Sequence, residues 1–185
     1  MQSDTFDNRF RISSARWAGY DYSQSGVYFV TVCTGNRARY FGEIILTTGD
    51  RDSAELLPTA QAAIAETCWL EIPTRFPFVS LDAFMLMPDH LHGLLIFDKV
   101  VEQPPALTYQ NAFGPQHDNL AAVIRGFKAG VSALTKRQGL AFGWQSRYHD
   151  RVVRNDAELK KIQQYIACNP ARWKHEQFSE EGLLR

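Results

Sequence analysis

Two apolar runs of strand length, Phe78–Met87 (FVSLDAFMLM) and Leu91–Phe97 (LHGLLIF), stand on either side of Pro88. Proline lacks the amide donor that a β-ladder needs, so Pro88 marks a bend, an edge or a turn, and the two runs read as separate strands. Around them the pattern alternates between strand and helix. Val27–Thr34 (VYFVTVCT) is β-branched and aromatic, as a buried strand is. Gly35-Asn36-Arg37 is a turn signal, and Phe41–Leu46 predicts a second short strand, antiparallel to the first. Ala54–Leu70 carries apolar residues at helical spacing, with Pro58 tolerable in a first turn. Leu120–Arg137 predicts an amphipathic helix with Gly139 at its C-terminal cap, and Phe142–Arg154 alternates like a strand. Asn155 or Asp156 then caps a helix, Ala157–Cys168, that stops before Pro170. The segments Trp17–Gly26 and Lys99–Asp118 read as a loop and a mobile connection. The order is strand, strand, helix, strand, strand, helix, strand, helix. It predicts an α+β sandwich with helices on a mainly antiparallel sheet.

The 185 residues suit one domain, with a flexible lead-in over about residues 1–15. At 45% hydrophobic and 22% charged, the balance is that of a soluble globular chain. No stretch approaches the roughly 18 to 20 unbroken apolar residues of a membrane helix. Met1–Phe10 is polar with charges of both signs, unlike a signal peptide, so the expected location is cytoplasmic. Cys33, Cys68 and Cys168 are odd in number, far apart and never in a CxxC arrangement, which predicts free, buried thiols.

The formal net charge is zero, but the charges are not evenly spread. Residues 1–120 hold 8 basic and 14 acidic side chains, whereas residues 121–174 hold 11 basic and 3 acidic. Such a segment can present a basic face to phosphates, and it can equally be two solvated helices rich in Lys and Arg.

His90 and His92 lie two apart just before Gly93, in a stretch that reads as strand. Side chains at i and i+2 share a face with Cβ atoms about 6.5 to 7 Å apart, so two imidazoles there can converge on one cation. A lone pair of this kind also arises where one ring packs and the other is solvated. On the last helix Tyr165 and Asn169 are spaced i, i+4 and share a face one turn apart. Leu159, Ile162 and Ile166 form the adjoining apolar stripe. A tyrosine at the margin of a helix core and an Asn-Pro helix end are both common structural features. Together with the histidines, however, they supply what phosphodiester cleavage needs: a nucleophile, nitrogen ligands for a Lewis acid, and an amide oxygen as a third ligand.

Three separated stretches resemble one family. MPDHLHGLLIF (Met87–Phe97) is similar to the metal-binding histidine motif of the single-tyrosine HUH transposases. WQSRYHDRVVRNDAELKKIQQYIACNPARW (Trp144–Trp173) resembles that family's second half, which ends in a helix of pattern YIxxNPxxW. GYDYSQSGVYFVTVCTGNRARYFGEI (Gly19–Ile44) is similar to the first strand pair of one branch, the REP-associated tyrosine transposases. The resemblance implies a ferredoxin-like antiparallel sheet, with His90, His92 and Asn169 as ligands of Mg²⁺ or Mn²⁺ and Tyr165 as the nucleophile that forms a 5′-phosphotyrosine bond. It implies single-stranded or hairpin DNA as substrate, typically palindromic repeats, for a monomer or homodimer. The chain departs from many relatives at Asp89, where they have Asn, and at His149, where they have a second aromatic.

Candidates for holding DNA are Arg125, Lys128, Lys136 and Arg137 on the second long helix and Arg147, Arg151 and Arg154 along the strand after it. Tyr20 and Tyr22, with Trp17, are candidates for stacking on unpaired bases, or aromatics folded back on the core. The leading expectation is a metal-dependent single-strand DNA endonuclease and strand transferase. A DNA-binding regulator of the same fold and a phosphodiesterase using activated water are the alternatives.

Overall fold

The computed structural model describes residues 20–48, 53–99 and 117–174, and the backbone of two short paired strands, β1 (Thr5–Phe6) and β2 (Arg9–Phe10). Trp17, the remainder of the N-terminal lead-in and most of the 99–118 connection lie outside the described residues. The principal sheet is built from β3 (Gly26–Cys33), β6 (Val79–Met87), β7 (His90–Phe97) and β8 (His149–Val153), in the order β6-β7-β3-β8. Every neighbouring pair is antiparallel. Two helices connect these strands, α1 (Ala60–Leu70) after β3 and α3 (Leu120–Arg137) after β7. The resulting β-α-β-β-α-β order on a four-stranded antiparallel sheet is the ferredoxin-like arrangement. The short α2 (Ile72–Arg75) leads into β6, and α4 (Asp156–Ala167) follows β8.

Strand alternation sends the two sides of β7 to different places. Leu91, Leu95 and Phe97 join Tyr28, Val30 and Val32 of β3 in the main core beneath α1 and α3. On the other face Leu94 meets Ile162 and Ile166 of α4. Gly93 is required by close packing, because a Cβ there would stand 2.3 Å from Cζ2 of the buried Trp69 on α1. Asn155 starts α4 by accepting from the Glu158 amide at 2.9 Å, a side-chain cap on an otherwise orphaned donor.

Four expectations need correction. Ala54–Pro58 is not helical; it forms strand β5, which pairs with β4 (Gly42–Leu46). Pro58 biases the residue before it toward extended backbone, and Thr59 then caps α1 by accepting from the Ala62 amide. β4 does not pair with β3, because both edges of β3 are already occupied by β7 and β8. Of Phe142–Arg154 only His149–Val153 is strand. Before it, Trp144 makes a single bridge to Thr34, and the carbonyls of Gln145 and Ser146 accept from Lys128 Nζ on α3. Finally, Cys33 and Cys68 are buried free thiols but Cys168, the residue that caps the C-terminus of α4, is exposed. Among the described residues no helix is long and apolar enough to cross a membrane.

Candidate functional site

Because β7 is a central strand with an even pleat, His90 and His92 both face α4, at the end of the strand nearest Pro88. Each ring is held from behind. His90 Nδ1 lies 2.6 Å from Oδ1 of Asp89, and His92 Nδ1 lies 2.9 Å from Thr31 Oγ1 on β3. With Nδ1–H donating to these oxygens, both Nε2 lone pairs turn forward, and the two Nε2 atoms face each other at 3.1 Å. Asp89 is itself fixed: it is 5% exposed, its Oδ2 accepts from Arg37 Nε at 3.0 Å, and its carbonyl accepts from Thr34. Burial pushes the His92 imidazole down to about 3, with the charges of His90 and Arg37 adding to the effect. The ring is therefore neutral near neutrality, the form in which imidazole binds metals.

α4 brings its tyrosine to the same point. Tyr165 Oη lies 3.4 Å from His92 Nε2, and Phe29 stacks on His92 while meeting Tyr165 edge-on. Tyr165 is 36% exposed and lines the cavity described below. The helix ends at Ala167, but residues 169–174 continue as a further helical segment with Pro170 in its first turn. That continuation carries Asn169, which is buried, and brings Trp173 to 5.8 Å from the His90 ring. A cavity of about 260 Å³ is lined by Thr31, Arg37, His90, His92, Tyr165, Asn169, Arg172 and Trp173.

The donor set fits a divalent cation. At metal–nitrogen distances of about 2.0–2.1 Å, two ligands sit roughly 2.8 to 3.4 Å apart for angles between a right angle and the tetrahedral one, and the 3.1 Å between these Nε2 atoms falls in that range. Among the described residues no group of three or more His, Cys, Asp and Glu is placed to hold a metal. A third protein donor for such a cation would be of another type, and Asn169 lines the same cavity.

The structure brings His90, His92, Tyr165 and Asn169 together, and it disperses the other sequence candidates. Arg125, Lys136 and Arg137 ride on α3, across the sheet from α4. Lys128 is spent on two carbonyls, while Arg151 and Arg154 both pair with Glu158. Arg147 lies before β8, outside the cavity lining. Tyr20 and Tyr22 pack against Tyr28 on the core face, at the far end of β3 from Cys33. His149 stands opposite Thr31 in register, exposed and not part of the cavity lining. Sequence reading passed over Thr31, Arg37, Arg172 and Trp173. A signal for the last two was present: positions 165, 169, 172 and 173 follow helical spacing, provided the helix resumes at Asn169.

A ferredoxin-like domain with a paired-histidine strand facing a tyrosine helix is the class that fold and site define. No profile of a known protein family matches the chain. It is 30% identical over 174 residues to an uncharacterized protein of Haemophilus influenzae, an overlap of 89% of this chain and 91% of that one. The chain belongs to the same family as that protein. Its fold is that of the REP-associated tyrosine transposases: the solved structure of one bound to a REP hairpin superimposes with a TM-score of 0.56 at 20% identity, over 87% of this chain and 74% of the other. A structure from Deinococcus radiodurans overlaps more loosely, with a TM-score of 0.41 and 19% identity, over 84% of this chain and 95% of its own.

Proposed function

We propose that this chain is a transposase-type enzyme that cleaves and rejoins single-stranded or hairpin DNA through Tyr165. The observation that carries the reading is the convergence of Tyr165 Oη on His92 Nε2 at 3.4 Å, with His90 Nε2 3.1 Å beyond and Asn169 in the same cavity. The fold shared with a REP-associated tyrosine transposase supports it.

In this reading His90, His92 and Asn169 hold Mg²⁺ or Mn²⁺, which when bound supplies Lewis-acid polarisation of a phosphate oxygen. Tyr165 gives up its phenol proton and its Oη bonds to phosphorus while the bond from phosphorus to the 3′ oxygen breaks. The 3′ oxygen takes up a proton, and the 5′ phosphate stays on the enzyme as a tyrosine ester. That ester keeps the bond energy for a later attack by another 3′ hydroxyl, so rejoining needs no nucleotide cofactor. Asp89 and Thr31 act before chemistry by fixing the ring orientations.

The test is incubation with labelled single-stranded hairpin DNA of palindromic-repeat type and Mn²⁺, followed by denaturing electrophoresis. Wild type is expected to give a denaturant-stable protein–DNA adduct, and Tyr165→Phe none. Cleavage that survives in Tyr165→Phe would replace the tyrosine mechanism with activated water. Binding with no cleavage across a hairpin panel would leave a DNA-binding regulator.

A further inference from the structure

We propose that Arg37 and Arg172 form an anion clamp in the tyrosine cavity, holding the non-bridging oxygens of a phosphate ester against the Tyr165 hydroxyl. This rests on reading the cavity as a phosphodiester site, and it names the groups that hold the phosphate itself. The lining contains two guanidinium groups and no carboxylate. Asp89 is buried behind His90 and takes no part in the lining.

Arg37 is built as a fixed arm. Its side chain is 53% exposed whereas that of its partner Asp89 is 8% exposed, so a buried carboxylate anchors an open guanidinium. Nε donates to Asp89 Oδ2 at 3.0 Å and Nη1 donates to Cys33 Sγ at 3.0 Å. Guanidinium carries five N–H donors, so the edge away from Asp89 keeps donors for a ligand. The backbone beneath is left-handed at two consecutive non-glycine residues, Asn36 (φ 52°) and Arg37 (φ 55°). Such conformations are strained and persist where surrounding bonds over-determine them. Thr34 supplies those bonds: its amide donates to the Asp89 carbonyl at 2.9 Å, and its one hydroxyl proton is shared between the carbonyls of Ala38 and Asp89, 2.7 and 2.8 Å from Oγ1.

Arg172 comes from a different element. It lies seven residues beyond Tyr165 and its guanidinium carbon is 5.3 Å from the Tyr165 ring centroid. One arginine thus approaches from the turn after β3 and the other from the helical segment after α4, and both line the cavity that Tyr165 lines. The planar fork of guanidinium matches phosphate oxygens in pairs. The cationic side chains of α3 stand across the sheet, and Arg151 and Arg154 are committed to Glu158.

The test is calorimetric titration of the full chain with inorganic phosphate, in EDTA and at low ionic strength so that no cation contributes. Wild type is expected to bind, and Arg172→Gln and Arg37→Gln are each expected to weaken binding by roughly 10- to 100-fold, the scale of a lost charge-assisted hydrogen bond. Lys160→Gln, an exposed charge on α4, should shift affinity by less than about twofold. Arg172 makes no contact with Asp89 among those described, so Arg172→Gln decides the matter if Arg37→Gln fails to fold. Phosphate affinity unchanged in Arg172→Gln, or absent in wild type, overturns the clamp, and a DNA adduct still formed by wild type would then leave the nuclease reading standing. Arginine-dependent phosphate binding with neither adduct nor cleavage on any hairpin would keep the anion site and remove the nuclease.

Discussion

On one face of strand β7, Leu91, Leu95 and Phe97 close into a core with Trp69, Phe127 and Ile124, and water is excluded throughout. On the other face the same strand offers His90, His92 and Leu94 to a single helix, where the buried apolar contact comes down to Leu94, Ile162 and Ile166. The first face is held by many mutually supporting contacts. The second has fewer fully buried members: Val27, Phe29, Ala83, Met85, Val153 and Leu159 pack around them partly exposed, and His90 and His92, with named hydrogen-bond partners, occupy one end. A pleat of period two makes this division possible, since one residue along the chain changes the face. A stable platform and an open reactive surface therefore share one strand without competing for positions.

The sharpest way to break this comparison is to damage each face and ask what fails. Trp69→Ala removes a fully buried ring that covers Gly93 and stacks on Phe84. It is expected to lower unfolding free energy by about 3–5 kcal/mol in a denaturant titration. A loss below about 1 kcal/mol would mean that the core face is not the stabilising one.

Asp89→Asn tests the other face. It keeps an oxygen near His90 Nδ1 but removes the charge that both His90 and Arg37 face. Mn²⁺ affinity, measured by electron paramagnetic resonance of free ion, is expected to fall by roughly 10- to 100-fold, the usual scale for a partner behind a ligating histidine. Unchanged affinity would show that the carboxylate serves the turn at Arg37 alone.

The smallest effect at neutral pH, growing only in acid, comes from His92. Its folded value is about 3 against 6.5 for the free group, so the unfolded chain binds more protons between them. The folded state keeps its full advantage above about 6.5 and loses it progressively as pH falls toward 3. Replacing His92 with Gln should flatten that part of the stability–pH curve in metal-free buffer. An acid limb identical to wild type would place the sensitivity elsewhere.

Local pattern carried much of this fold. Leu120–Arg137 is observed as α3 with the expected bounds, and the strands on either side of Pro88 form the adjacent pair β6 and β7. These were legible because helical and strand periods are written in consecutive residues. At Ala54–Pro58 the composition AELLP favoured helix, and tertiary pairing with β4 prevailed. The basic stretch 121–174 was legible as a composition but not as a surface, because its members divide between α3, β8 and α4 on opposite sides of the sheet.

The histidine pair was determined by sequence alone, since it depends only on the period of its own strand, whereas the Tyr165–Asn169 spacing also needs the helical segment that resumes at Asn169 past the end of α4. That the two meet was decided by tertiary structure. Docking Ile162 and Ile166 on Leu94 sets the phenol 3.4 Å from His92, and the pairing of β3 with β7 puts Thr31 behind that ring. Arg37 enters the site through the turn after β3, and Arg172 through a helical segment that resumes at Asn169. A period states which residues share a face; which faces come together depends on contacts between residues far apart in the chain.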